Sequence, residues 1–254
     1  MGRKRRWEDL PPDCLVHVFS KLGLGDLTLS LPFVCKSWHE ASTFPECWKN
    51  LDFQELGFSS RKGFSFSSFM RLCLAHSHGS AELLAFPFVP GAALRRDLIS
   101  ASVECPRLRL LALPSLGRKD DKQLPELMVR WKELEILEMT WKPDSFVEVL
   151  EQIRMNCPNF MGLHICGFFD KEDAQAMVRC LPRLKILVMS GSFVRRMDLM
   201  VILDGCKELE VLDVSMCRGF DADSEIVQKA SRIRRFECGD CKMESNHTST
   251  MICS

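Results

Sequence analysis

The chain has 254 residues, with 34 lysines and arginines against 34 aspartates and glutamates, 46% apolar residues and 13 cysteines. That apolar content excludes intrinsic disorder, and zero net charge argues against binding nucleic acid through its phosphates. No stretch approaches the roughly 18 apolar residues that a membrane span needs. Met1-Gly-Arg-Lys-Arg-Arg-Trp7 lacks the apolar core of a signal peptide. The expectation is therefore a cytoplasmic or nuclear protein whose cysteines stay reduced and mostly buried.

Residues 7–53 read as a small helical module. Asp13, after Pro11-Pro12, is a candidate N-cap. Leu15, Val18, Phe19 and Leu22 fall at i, i+3, i+4 and i+7 and make one apolar stripe. Gly23 and Gly25 end that helix, and Asp26 can cap the next. Pro32 opens a third, on which Val34, Cys35 and Trp38 share a face. About 45 residues are too few to bury so many large apolar groups alone, which points to completion by a partner or by the rest of the chain. In order and spacing the segment resembles an F-box. The matching residues are Leu10-Pro11-x-Asp13-x-Leu15-x-x-Val18-Phe19-Ser20-x-Leu22, then Asp26-Leu27, Val34-Cys35-Lys36-Ser37-Trp38 and Trp48-Lys49-x-Leu51. Cys14 stands where the family often has glutamate.

Residues 54–65 read as a linker loop and 66–75 as an apolar helix. From there a Leu-x-x-Leu-x-Leu template recurs seven times, starting at Leu83, Leu108, Leu134, Phe160, Leu184, Leu209 and Ile233, at spacings of 25, 26, 26, 24, 25 and 24. This is the period of leucine-rich repeats. Three residues before most of the starts stand Cys105, Trp131, Cys157, Leu181, Cys206 and Ala230, and eight residues after the last two stand Cys217 and Cys241. Helical patterns such as 146–153 and 197–203 lie between, and Pro106, Pro158 and Pro182 follow helices and would stop them. The stretch resembles the cysteine-containing leucine-rich repeats. Pro87 and Gly162 are expected to weaken their strands. Trp48-x-x-Leu51-x-Phe53 is a degenerate copy of the template, so the module and the repeats can share one core and a rigid junction is expected.

F-box plus repeats resembles the F-box/LRR proteins, and Leu-Pro-Phe-Val-Cys-Lys-Ser-Trp38 is similar to plant members. The expected architecture is α/β: an N-terminal helical F-box followed by a leucine-rich repeat solenoid, with short parallel strands on the concave face and helices on the convex face. Its expected parts are 7–53 F-box, 54–79 linker and connecting helix, 80–242 repeats and 243–254 polar tail.

The resemblance implies a non-catalytic substrate adaptor of an SCF (Skp–cullin–F-box) E3 ubiquitin ligase. Its partners would be a Skp adaptor and, through it, cullin and RING subunits, together with a protein substrate. Carried onto this chain, the adaptor contacts are Leu10, Pro11, Leu15, Val18, Phe19, Leu22, Leu27, Val34 and Trp38, each of which core packing would also explain.

Outward strand positions form two columns. One is Ala85, Leu110, Ile136, Gly162, Ile186, Val211 and Arg235; the other is Pro87, Ala112, Glu138, His164, Val188, Asp213 and Glu237. The apolar first column reads as a partner surface, or as the ordinary preference of β-branched residues for strands. Substrate contact is expected at Leu110, Ile136 and Ile186, beside Val188, with Glu138, His164 and Asp213 setting polarity. A repeat scaffold or small-molecule sensor outside a ligase is the alternative function.

Other motifs have plainer readings. Cys238-x-x-Cys241 with His247 and Cys253 evokes zinc, but the repeat explains both of the first pair and the spacing fits no common zinc pattern. Arg3-Lys4-Arg5-Arg6 is a nuclear address or a solvated basic end, and His76 and His78 read as surface. No phosphate-binding loop, His-Glu-x-x-His or nucleophile-elbow motif occurs. Neither a cofactor nor a metal is expected.

Overall fold

A computed structural model describes residues 7, 10–54, 56, 64–88 and 94–239. The N-terminal module consists of α1 (Pro12–Phe19), α2 (Leu24–Leu29), α3 (Lys36–Ser42) and two 3-10 turns, Leu31–Phe33 and Pro45–Trp48. The caps differ from those expected. Pro11 caps α1 and Pro12 starts it, because proline's fixed φ is already helical, while Asp13 falls in the first turn. Likewise Gly23, and not Asp26, caps α2. Both aspartates still oppose the positive helix end.

Strands and helices then alternate: β1 (Asn50–Asp52), α4 (Phe66–Ser77), β2 (Leu83–Ala85), α5 (Arg95–Glu104), β3 (Leu110–Leu113), α6 (Arg118–Asp121), α7 (Leu124–Met128), β4 (Ile136–Met139), α8 (Phe146–Asn156) and β5 (Gly162–Ile165). They continue through β6 (Phe168–Phe169), α9 (Lys171–Cys180), β7 (Ile186–Val188), β8 (Phe193–Val194), α10 (Arg196–Gly205), β9 (Val211–Asp213), α11 (Ser224–Ala230) and β10 (Arg235–Glu237). One parallel sheet runs β1-β2-β3-β4-β5-β7-β9-β10, and β6 pairs with β8 beside it. The register stacks Leu51, Leu84, Leu111, Leu137, Leu163, Leu187 and Leu212 in one inward column. All seven are completely buried.

This register corrects the frame of the first repeat. Leu83 pairs with Leu110 and Leu84 with Leu111, so the template there is Ala81-x-x-Leu84-x-Phe86. A two-residue slip preserves the inward and outward faces, and the small Ala81 hides the true start. Leu83 therefore follows Asn50 in the first outward column, Ala85 joins the second, and Pro87 lies beyond the strand, where it interrupts no pairing. Pairing also runs unbroken through Gly162 on both sides. A Cβ there would lie 3.0 Å from Ile136 Cγ1, so the glycine makes room for that side chain.

The junction is built from packing and hydrogen bonds together. β1 pairs with β2, and the amides of Glu82 and Leu83 both donate to the Lys49 carbonyl, at 2.8 and 3.0 Å. The buried Trp48 indole donates to the Ser42 carbonyl at 2.8 Å. Its ring stacks on His76 of α4, with centroids 4.6 Å apart and planes 14° from parallel. Phe53 meets Phe66 and Phe69 edge-on. The F-box-like module and the repeats thus share one core, and His76 belongs to that junction rather than to the surface.

Cysteines fill repeat addresses because a small apolar group fits where each helix turns into the next strand. Cys105, Cys157 and Cys206 follow α5, α8 and α10 and are buried. Cys157 Sγ donates to the Trp131 carbonyl at 3.3 Å, and Cys217 Sγ to Met189 at 3.1 Å, each reaching back one repeat. Burial pushes the thiols of Cys105 and Cys157 up to about 12 and that of Cys206 up to about 11. Cys241, His247 and Cys253 lie outside the described residues, as do Arg3 to Arg6.

Two outcomes are expected. Iodoacetamide on the native protein labels the exposed Cys14, while Cys105, Cys157 and Cys206 react only after unfolding, as mapped by mass spectrometry. Burial, and then the charges of His78 and His39, hold His76 below its ordinary pKa of 6.5. The unfolded chain therefore binds the extra proton more readily, and stability falls as pH drops below about 6.5. In urea titrations at pH 7 and pH 5, His76→Phe, which keeps the stack but cannot titrate, loses less stability than the wild type.

Candidate protein-interaction surfaces

The first surface lies on the N-terminal module. Short helices bury one face each and leave the others to solvent. Leu15, Phe19 and Leu27 are buried in the module's own core. Core packing accounts for these three of the expected adaptor contacts. Pro11, Val18 and Val34 are exposed, and Leu10, Leu22 and Trp38 are half-buried. Trp38 meets Phe19 edge-on at 5.1 Å, and its indole N–H is buried without a partner among the described residues. Two larger groups go unnoticed in the sequence, Phe33 at 78% exposure and Leu29 at 68%, beside Val34 at 56%. Phe33 escapes the stripe pattern because the 3-10 turn has no 3.6-residue period, and Leu29 because it ends a helix of six residues, too short to show a stripe. These groups sit on α1, α2, α3 and the turn at Leu31–Phe33, which pack on one another. Exposed apolar groups on elements so packed make this a candidate interaction surface.

The second surface is the concave sheet. Leu110, Ile136 and Ile186 form a half-buried apolar row with Leu83 and Val211. The parallel column is Asp52, Ala85, Ala112, Glu138, His164, Val188, Asp213 and Glu237. At its centre His164 Nδ1 donates to Glu138 Oε1 at 3.0 Å. That hydrogen bond, more than its charge, holds the Glu138 carboxyl below the usual carboxylate range. Asp213 is occupied differently: its carboxylate accepts the Ser215 amide at 2.8 Å and fixes the turn after β9.

An open recess of about 310 Å³ lies where the central strands end. It brings together Glu138, His164 and Val188 from the column with Thr140, Cys166 and Ser190 from the strand ends. Leu110, Ile136, Ile186 and Asp213 lie outside it. Thr140, Cys166 and Ser190 hold one repeat position, six residues after each template start, and that spacing is the signal that would have found them.

The family model described as F-box-like matches residues 7–54. An F-box/LRR-repeat protein of Arabidopsis thaliana is 32% identical over 94% of this chain and 86% of its own length. The F-box protein SKIP19 of the same plant is 26% identical, over 85% of this chain and 71% of its own. The F-box protein FBW2, also from Arabidopsis thaliana, is 24% identical over 89% and 72%. Among solved structures, the leucine-rich repeat domain of APL1B matches over 77% of this chain and 65% of its own, at 9% identity and a TM-score of 0.36.

A helical F-box module fused to a parallel-stranded repeat solenoid defines the class. The chain belongs to the F-box/LRR-repeat family. No helix among the described residues is long and apolar enough to cross a membrane.

The pairing of Glu138 with His164 can be measured directly. His164→Phe removes the ring N–H, so the Glu138 carboxyl is expected to titrate at higher pH in side-chain carboxyl NMR. Because the native pairing lowers that pKa, its stabilising contribution is present at neutral pH and lost as pH falls below about 4.5. The variant lacks this part of the acid loss.

Proposed function

We propose that this protein is the substrate-receptor subunit of an SCF-type E3 ubiquitin ligase, a non-catalytic adaptor working in the cytoplasm or nucleus. Residues 7–53 act as the F-box, 54–79 as linker and connecting helix, 80–242 as the repeats and 243–254 as a polar tail. The F-box docks a Skp-type adaptor, which links it to cullin and RING subunits. Its contacts are Leu10, Pro11, Val18, Leu22, Val34 and Trp38, joined by Leu29 and Phe33. The observation that carries this reading is the exposure of Phe33, Leu29 and Val34 within the segment that matches the F-box-like model.

The repeats hold a protein substrate on the concave face, at Leu110, Ile136, Ile186, Val188, Glu138 and His164, with Asp213 shaping the neighbouring turn. The shared core supports the reading mechanically. A substrate fixed on a sheet that includes β1 is held at a set distance and angle from the docked adaptor, which favours transfer to a defined lysine.

Co-expression with a plant Skp-type adaptor tests this. The wild type is expected to co-purify, and a Phe33→Asp/Val34→Asp double variant to lose association at least tenfold while its thermal midpoint stays close to wild type. Both positions are exposed, so folding should be spared. A stable wild-type chain that ignores the adaptor, or an unaffected double variant, would overturn the reading.

A further inference from the structure

Beyond the recess the sheet carries a feature that neither the apolar column nor the F-box explains. Three successive repeats each place one aromatic ring on the rim just past the strand ends. Trp141 is 45% exposed and Phe168 51% exposed. Their rings meet edge-on at 5.9 Å, and Phe168 and Phe193 lie 5.8 Å apart. The row follows from strand alternation. β6 pairs with β8 in the register Phe168↔Phe193, which turns Phe169 and Val194 into the core and the other two rings outward.

Two glycines keep the layers close enough for this. A Cβ on Gly167 would lie 2.6 Å from Lys142 Cβ, and one on Gly219 only 2.5 Å from the Val194 carbonyl oxygen. Large aromatic groups left to solvent in consecutive repeats are costly in the isolated chain and mark a contact surface.

The rim is continuous in the chain with the recess. Thr140 lines the recess and Trp141 follows it; Cys166 lines it and Phe168 stands two residues on; Ser190 lines it and Phe193 stands three on. Glu138 is the one carboxylate among the described residues that line the recess. Glu138 and His164 are the charge-bearing residues that line it, with no lysine or arginine among the described lining residues. Glu138 accepts from His164 through Oε1, and no other donor to that carboxylate is present among the described residues. One oxygen is therefore free to accept from a ligand. Asp52 and Asp213 add carboxylates to the same column, each also accepting a turn amide at 2.8 Å.

We infer that the strip from the Glu138–His164 recess to the Trp141–Phe168–Phe193 rim binds an extended segment of a partner protein. That segment directs an arginine or lysine side chain at Glu138 and lays an adjacent apolar or aromatic residue on the rim. Arginine suits the site best, since its planar fork pairs with a carboxylate and stacks on aromatic faces. Apolar side chains alone would leave the second Glu138 oxygen desolvated without a donor, which is unfavourable. Acidic segments would meet the carboxylates of the column. The inference rests on the repeats being the substrate-holding surface, and it assigns that substrate's chemistry.

The test uses the full-length chain and four oriented dodecapeptide pools, each with one fixed central residue, arginine, lysine, glutamine or glutamate, and randomised flanks. The arginine and lysine pools should be retained more than tenfold over the glutamine and glutamate pools. Bound sequences should be enriched in aromatic or large aliphatic residues within three positions of the fixed one. The best peptide should bind at least tenfold more weakly to Glu138→Gln and to Trp141→Ala, both at accessible positions, and Glu138→Arg should favour the glutamate pool.

Equal retention of all pools, retention of none, or undiminished binding to Glu138→Gln would overturn the inference. Adaptor association measured on the same preparations separates the two readings. Its loss with basic selectivity intact refutes the ligase role alone, whereas its presence without selectivity refutes only the assignment of a basic segment.

Discussion

The parallel register that stacks Leu51, Leu84, Leu111, Leu137, Leu163, Leu187 and Leu212 supports everything else in the molecule. Each leucine is completely buried, and each is buried by its neighbours rather than by its own repeat. A lone strand and helix leave too much apolar surface in water, and only the stack removes it. Truncating one member to alanine costs about 2–5 kcal/mol, a large share of the stability of a typical domain. The same register aligns the outward residues, so the columns on the concave face are by-products of core packing. Glu138 meets His164 because Leu137 sits beside Leu163.

The two candidate surfaces follow from opposite shortfalls. In the N-terminal module the helices are too short and too few to hide their apolar groups. Phe33, Leu29 and Val34 remain outside while Leu15, Phe19 and Leu27 take the core. In the solenoid the core is complete, and what remains exposed is set by alternation: an apolar row, a column bearing carboxylates, and an aromatic rim. The junction couples them. With Trp48 stacked on His76 and β1 hydrogen-bonded into the sheet, displacing one surface relative to the other would break a strand pairing and a buried aromatic contact.

The repeat was legible because its period is long, its positions are few and leucine is chemically distinctive. The first rung could be read from Trp48, Leu51 and Phe53 for the same reason. The frame at β2 was not, since Ala81 carries too little apolar signal to compete with Leu83, and only pairing with β3 fixes it. Within the F-box-like segment the family pattern was plain, but the division between core and surface was not. Helices of six to eight residues make barely two turns, and an apolar stripe that short does not reveal which side meets the core. For the recess, Glu138, His164 and Val188 were visible as alternating strand positions. Thr140, Cys166 and Ser190 were not, because they lie where strands end, and strand ends depend on the turns that follow.

The place of β1 also matters for biosynthesis. A solenoid has a growing edge at each end, and an unpaired edge strand invites pairing with other chains. Here the first rung belongs to the N-terminal helical module, which leaves the ribosome before any repeat. Each later strand then emerges next to a finished template and pairs with a neighbour already made. Vectorial growth from a first rung made early is well suited to an eight-stranded parallel sheet, whose non-local pairings are otherwise slow and prone to aggregation.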